Sequence, residues 1–192
     1  LVVLLIGVPI ISTFHAICFF LDGIFYPDLR KVNVEEPIFM VGHARSGTTL
    51  THRLLSQDGG RFSSFLLYEL YFPSLIQKKV IRWIARFDEE HWRGLLAGQV
   101  QAWEEWRYGR MRNMHSMGLT QPEEDDIVLY WSMAAGFWIT KMPYMGDLDF
   151  YHMNDWPEKR RRRYNAFYRE CVRRQLYLNG PEKIHLAKNP LW

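Results

Sequence analysis

The sequence predicts an α/β domain: a central parallel sheet with flanking helices, helix-rich and preceded by an apolar N-terminal helix. Three observations carry the prediction. The run Pro37-Ile38-Phe39-Met40-Val41 reads as a short buried strand, followed by a glycine turn and a helix start at Ser46–Thr49. Lys183 to Ala187 reads as a second strand, with Lys188-Asn189-Pro190 at its carboxyl end, where open α/β sheets bind ligands. Between the two, apolar residues recur at helical spacing.

At 192 residues, 48% hydrophobic and 16% aromatic, the chain can bury the core of one domain. Its net charge of +3 suits an anionic ligand. No stretch interleaves basic and aromatic residues as nucleic-acid binders do, so no nucleic-acid partner is expected. Two cysteines, Cys18 and Cys171, give neither a disulfide framework nor a cysteine-based zinc site. Leu1 is not a methionine and Trp192 closely follows a motif, so the chain reads as the N-terminal part of a longer protein.

Leu1 to Leu21 carries no charge and is long enough to cross a bilayer, which predicts a membrane location through a single N-terminal span. A buried or interfacial helix is the alternative. Arg30 and Lys31 flank one side only, so orientation is not readable. Residues 22–36 form a polar linker, and the domain occupies residues 37–192.

The glycine turn repays a closer reading. The first N–H groups of a helix lack intrahelical partners and sit at the positive end of its dipole, so they bind anions. Gly42 and Gly47, with four residues between them, have the spacing of a P-loop. The lysine that follows in ATP and GTP sites is absent: Thr48 and Thr49 stand there, and the loop's cation is Arg45, upstream.

The rest of the chain follows in order. The helix after the loop should carry Leu50, Leu54 and Leu55 on one face and stop before Asp58-Gly59-Gly60. Phe62 to Pro73 holds one acid, Glu69, among apolar neighbours that would desolvate it; an exposed helix acid is the plainer alternative. Ser74 should cap a helix to Phe87, and Asp88 to Met111 a further one, weakened or brought close to a neighbour at Gly94 and Gly98. Their tryptophans read as core or lid surface. Asn113 to Asp126 is a loop ending in Glu123, Glu124, Asp125 and Asp126, acids that complement a helix dipole better than they suggest a metal site. His115 in that loop is a further candidate base. Ile127 to Thr140 should be a core helix and Pro143 to Asp155 a turn-rich link. Asp155-Trp156-Pro157-Glu158 opens a helix that ends at Asn179-Gly180-Pro181, with Arg160 to Arg163 on a solvated face, an anionic partner or a membrane surface being the alternative for that run.

The strand followed by Gly42-His43-Ala44-Arg45-Ser46-Gly47-Thr48-Thr49 resembles the phosphosulfate loop of P-loop sulfotransferases, of the membrane-associated carbohydrate and bacterial type. Arg61 to Ser74, Met114 to Asp126 and Ile184 to Pro190 support the resemblance more weakly. It implies that the donor of the sulfonate group is PAPS (3′-phosphoadenosine 5′-phosphosulfate), bound by Arg45, Ser46, Gly47, Thr48 and Thr49, with no metal. It also implies Glu69 as the base and Lys188 near the sulfonate; Pro190 stands where cytosolic members place a histidine. The residues that hold the 3′-phosphate normally follow the next strand, beyond Trp192. The acceptor is a carbohydrate or small-molecule hydroxyl of open identity. A divergent P-loop kinase and a non-catalytic, membrane-anchored form of the fold are the alternatives.

Overall fold

The computed structural model describes residues 2–43, 46–109, 117–136, 138 and 153–189. Three strands, β1 (Ile38–Met40), β2 (Phe62–Ser63) and β3 (Ile184–Lys188), form one parallel sheet in the order β1-β3-β2. The parallel sheet is as expected, but β1 is an edge, with Ile38 and Phe39 about half exposed, and β3 is the buried centre. In the register, Met40 faces Lys188, and the Asn189 N–H donates to Met40 O at 3.0 Å, which carries the pairing one residue further.

Side chains alternate along β3, so Leu186 and Lys188 face one layer and His185 and Ala187 the other. Helix α2 (Thr48–Ser56) covers the first layer, with the buried His52 ring 3.2 Å from Leu186 O. Leu50, Leu54 and Leu55 point away from the sheet and are exposed, contrary to the apolar stripe. The phase of α2 is set by the turn that joins it to β1, which brings His52 inward instead.

Helix α6 serves the second layer and spans Glu158–Asn179, ended by Gly180 as expected. Helices α3 (Leu67–Tyr71) and α4 (Leu75–Trp92) follow β2, and α5 (Leu95–Tyr108) follows α4. The α4–α5 break falls at Arg93 and Gly94, both at positive φ, and not at Asp88. Asp88 lies inside α4, and its carboxylate accepts hydrogen bonds of 2.9 Å from the N–H groups of Leu96 and Ala97, capping α5. A side chain at Gly98 would meet nothing, so no close crossing occurs there. Trp83, Trp92, Trp103 and Trp106 are exposed and do not form core.

Asp125–Ser132 is a 3₁₀ helix where an α-helix is expected, and Ile127, Val128 and Leu129 enter the core beside Phe65, Leu67, Leu70, Trp138, Cys171, Val172 and Leu176. Residues 137 and 139–152, which complete the expected core helix and most of the turn-rich link, lie outside the described residues.

The apolar helix α1 (Val2–Phe25) is long and apolar enough to cross a membrane over Leu5–Phe25. One face of it packs on the domain. Ser12 donates to Trp131 O, His15 meets Gln77, and Asp22 is fully buried. The Asp22 carboxylate accepts from Ser74 Oγ and from the N–H groups of Leu75 and Ile76 at 2.9–3.0 Å, capping α4. It also pairs with Arg174 of α6 at 2.8 Å. The opposite face, including Ile6, Ile10, Phe14, Ile17, Phe20 and Ile24, is an exposed apolar stripe.

Asp22 thus joins three helices through one buried carboxylate. Asp22→Ala should destabilise the fold by about 3 kcal/mol, because the buried Arg174 loses one of its two carboxylate partners and α4 loses its cap. The urea midpoint by circular dichroism measures it. Arg162→Ala, at an exposed pair with Glu158, serves as the control that stays at the wild-type midpoint. An unchanged midpoint for Asp22→Ala would remove Asp22 from this role.

Candidate functional site

Between β1 and α2 the backbone demands glycine at two points. A Cβ at Gly42 would lie 2.9 Å from both Ser46 Oγ and Thr48 Cγ2, so the loop closes on itself only without a side chain there. Gly47, at φ 85°, is the N-cap of α2 and offers no side-chain acceptor to the first turn. The opening N–H groups of α2 therefore receive no side-chain acceptor from the N-cap. Ala44 and Arg45 lie outside the described residues.

Lys188 supplies the cation that the loop lacks after Gly47. It ends β3, is fully buried, and its ammonium donates to Thr49 Oγ1 at 3.1 Å. Glu124 Oε1 lies 3.3 Å from the same nitrogen. Strand β3 thus places a lysine against the first turn of α2, at the carboxyl end of the sheet.

The acids Glu123 to Asp126 cross that same end; Asp125 and Asp126 lie in the first turn of the 3₁₀ helix, as expected, and each of the four also has its own partner. Glu123 pairs with Arg53 of α2 and Glu124 with Lys188. Asp125 Oδ2 accepts from Tyr168 OH at 2.7 Å and from His185 Nε2 at 2.8 Å. Asp126 Oδ2 accepts from the Gly136 N–H at 3.1 Å. The proximity of Asp125 and burial push the Tyr168 hydroxyl well above the usual phenol range, burial being the larger cause. Among the described residues no group of three His, Cys, Asp or Glu is placed to hold a metal.

Glu69 is fully buried on α3. Its Oε1 accepts from Tyr68 OH at 3.2 Å and Arg82 at 2.9 Å, and its Oε2 from the Leu66 N–H at 3.0 Å and Gln175 at 2.7 Å. Gln175 in turn accepts from the buried Lys78 ammonium at 2.6 Å, which burial pushes down to about 8. The apolar neighbourhood expected for Glu69 is present, but the carboxylate is filled with donors. Gln175 and Arg82 did not stand out in the sequence as its partners. The available signal was an amide among Cys171, Val172 and Leu176 on the buried face of α6. His115 and Pro190 lie outside the described residues.

A cavity of about 720 Å³ opens at the other end of the sheet, between Glu35, Glu36, Glu182 and Lys183, away from the loop. A smaller one of about 120 Å³ lies at the carboxyl end, walled by Phe39, Val41, Leu129 and Ala187 and reached by Asp125 and Asp126.

Comparison with known proteins agrees with the fold. The crystal structure of the sulfotransferase STF1 from Mycobacterium tuberculosis is similar in fold, with a TM-score of 0.60 at 22% identity. The match covers 90% of this chain and 44% of that one, so the chain spans less than half the length of STF1. A search among curated proteins finds no match. The sequence model of the sulfotransferase family matches residues 37–182, a span that holds the loop, Glu69 and the acidic segment. The chain belongs to the sulfotransferase family.

Proposed function

We propose that the protein transfers a sulfonate group from PAPS to an acceptor hydroxyl. The observation that carries this reading is the buried Lys188 ammonium set against Thr49, beside a glycine-capped helix start whose own loop has no lysine after Gly47. In this reading Arg45, Ser46, Gly47, Thr48 and Thr49 hold the phosphosulfate. Lys188 and the N–H groups of the loop hold the negative charge that grows on the departing phosphate oxygen. PAPS, when bound, supplies the activated sulfonate, and the chain's own groups orient it for in-line attack.

The resemblance assigns the base to Glu69. Both of its oxygens are engaged, so it takes a proton only by releasing a donor. We assign Glu69 to holding α3 against α4 and α6. Membrane association runs through the exposed stripe of α1. A P-loop kinase is the second reading that Lys188 also fits, because it supplies the lysine such an enzyme needs.

Calorimetry on the full-length protein separates the two nucleotides. PAPS should bind, and ATP should bind at least a hundredfold more weakly. Tight ATP binding with no response to PAPS would overturn the sulfotransferase reading. Arg45→Ala should weaken PAPS binding ten- to a hundredfold, the loss of a charge-assisted contact worth roughly 1.5–3 kcal/mol.

Glu69→Gln should lower the melting temperature while the folded fraction keeps turnover within tenfold. A drop of ~10²–10⁴ at an unchanged melting temperature would make Glu69 the base after all. The joint variant Ile10→Lys, Phe14→Lys, Ile17→Lys should move the protein from the membrane pellet to the supernatant. Retention in the pellet would rule out the α1 stripe as the attachment.

A further inference from the structure

Helix α1 has two faces that make opposite demands. Ile6, Ile10, Phe14, Ile17, Phe20 and Ile24 are each more than half exposed and recur at helical spacing, so they form one apolar strip with no charge on it. The other face is fastened to the domain along its length. Val8 joins the core, Ser12 donates to Trp131 O at 2.7 Å, and Gln77 Nε2 lies 2.9 Å from His15 Nδ1. Phe19 stacks on Phe167 of α6, with ring centres 5.4 Å apart. Asp22, the one carboxylate of the helix, is held by Ser74, by the first N–H groups of α4 and by Arg174.

These contacts run from Val8 to Asp22, about 21 Å of helix axis. The hydrocarbon core of a bilayer is about 30 Å thick. A helix crossing it over Leu5–Phe25 needs apolar surroundings on every side of that stretch. Here one side is occupied by Ser74, Gln77 and Arg174, whose polar groups lipid chains cannot satisfy. To span, α1 would have to leave the domain and carry the bare Asp22 carboxylate with it. A helix lying in the membrane plane meets no such conflict. It sinks its apolar face about 5–10 Å into one leaflet and turns its other face away. In a free amphipathic helix that second face carries lysines and arginines; in α1 the domain takes their place.

Charge beside the strip indicates which lipid. Ser12 and Ala16 of α1 and Arg163 and Phe167 of α6 border a groove of about 640 Å³. Ala16 is exposed one turn before Phe20, so the groove runs along the flank of the strip. Arg163 is exposed and has no ion pair among the described residues. With the strip immersed, that guanidinium stands at the level of the headgroups, where a negative surface attracts it.

We infer that α1 lies in the plane of one leaflet of an anionic membrane, with both of its ends and the domain on the same side, and that Arg163 meets a lipid phosphate beside it; this rests on the membrane reading of α1. It replaces the single span that length and lack of charge predict.

The deciding experiment places one nitroxide spin label at a time on the strip of the full-length protein. Ile10→Cys, Ile17→Cys and Ile24→Cys lie on one line of α1, and the native Cys18 and Cys171 are buried and stay unlabelled. Each labelled protein is reconstituted from detergent with an equal mixture of phosphatidylcholine and phosphatidylserine. Depth is read from the balance of collisions with dissolved oxygen and with a water-soluble nickel complex. All three labels should lie at one depth, to within about 5 Å, one turn of helix. A span would separate Ile10 from Ile24 by up to about 21 Å along the membrane normal, and a depth graded in that way overturns the inference. Labels that stay in water overturn the membrane reading of α1 itself. Labels that couple to one another and never meet lipid assign the strip to a second copy, which overturns the inference as well.

Arg163→Gln should weaken binding to the mixed vesicles about fivefold and leave binding to pure phosphatidylcholine unchanged, as one arginine at an anionic surface does. Wild-type affinity of Arg163→Gln for the mixed vesicles would overturn the headgroup contact. Arg163 is exposed, so this arm holds even where a change in α1 is not tolerated by the fold.

Discussion

Strand β3 carries Lys188 into the interior on one face and His185 on the other, and neither group can be left there alone. Removing the Lys188 charge from water costs several kcal/mol even after relaxation, and a buried imidazole N–H without an acceptor is also costly, so each needs a partner delivered to the right side of the sheet. One short segment answers both demands: Glu124 meets Lys188, and Asp125 meets His185. To do so the chain must pass over the carboxyl end of the sheet between those residues. That passage sets the 3₁₀ helix from Asp125 to Ser132, because neighbouring acids are drawn in different directions. It also brings the acids beside the loop and closes the wall of the small cavity.

The local parts of this arrangement were legible. Gly42 and Gly47 announce the loop because a close approach and a positive φ leave no other residue that fits without strain. Helix α6 was bounded correctly because Pro157 and Gly180 are punctuation that needs no tertiary context. The resemblance singled out Lys188, and the structure sets it against Thr49.

What the sequence hid was pairing across distance. Asp125 and Asp126 do stand in a helix first turn, but that Arg53, Lys188, His185 and Tyr168 come to the acids at 123–126 from other elements is not written in their neighbourhood. Asp88 looks like a helix start because it is one, but for α5, reached from inside α4. The leucines of α2 look like a core stripe because periodicity reports a face and not the direction it points. The burial of Glu69 was legible from its neighbours, but its donors were not, since neither Arg82 nor Gln175 is near it in the chain.

The place of β3 in the sheet has a consequence for how the molecule comes into being. It lies between β1 and β2, yet both of those strands precede it in the chain. During synthesis they emerge with no ladder to join, and Thr49 waits 139 residues for Lys188. The loop can assume its turn early, because the glycines are local. The three-stranded ladder and the Lys188–Thr49 contact arrive together, in one long-range closure. Joining β1 to β2 and delivering Lys188 to Thr49 are therefore the same event.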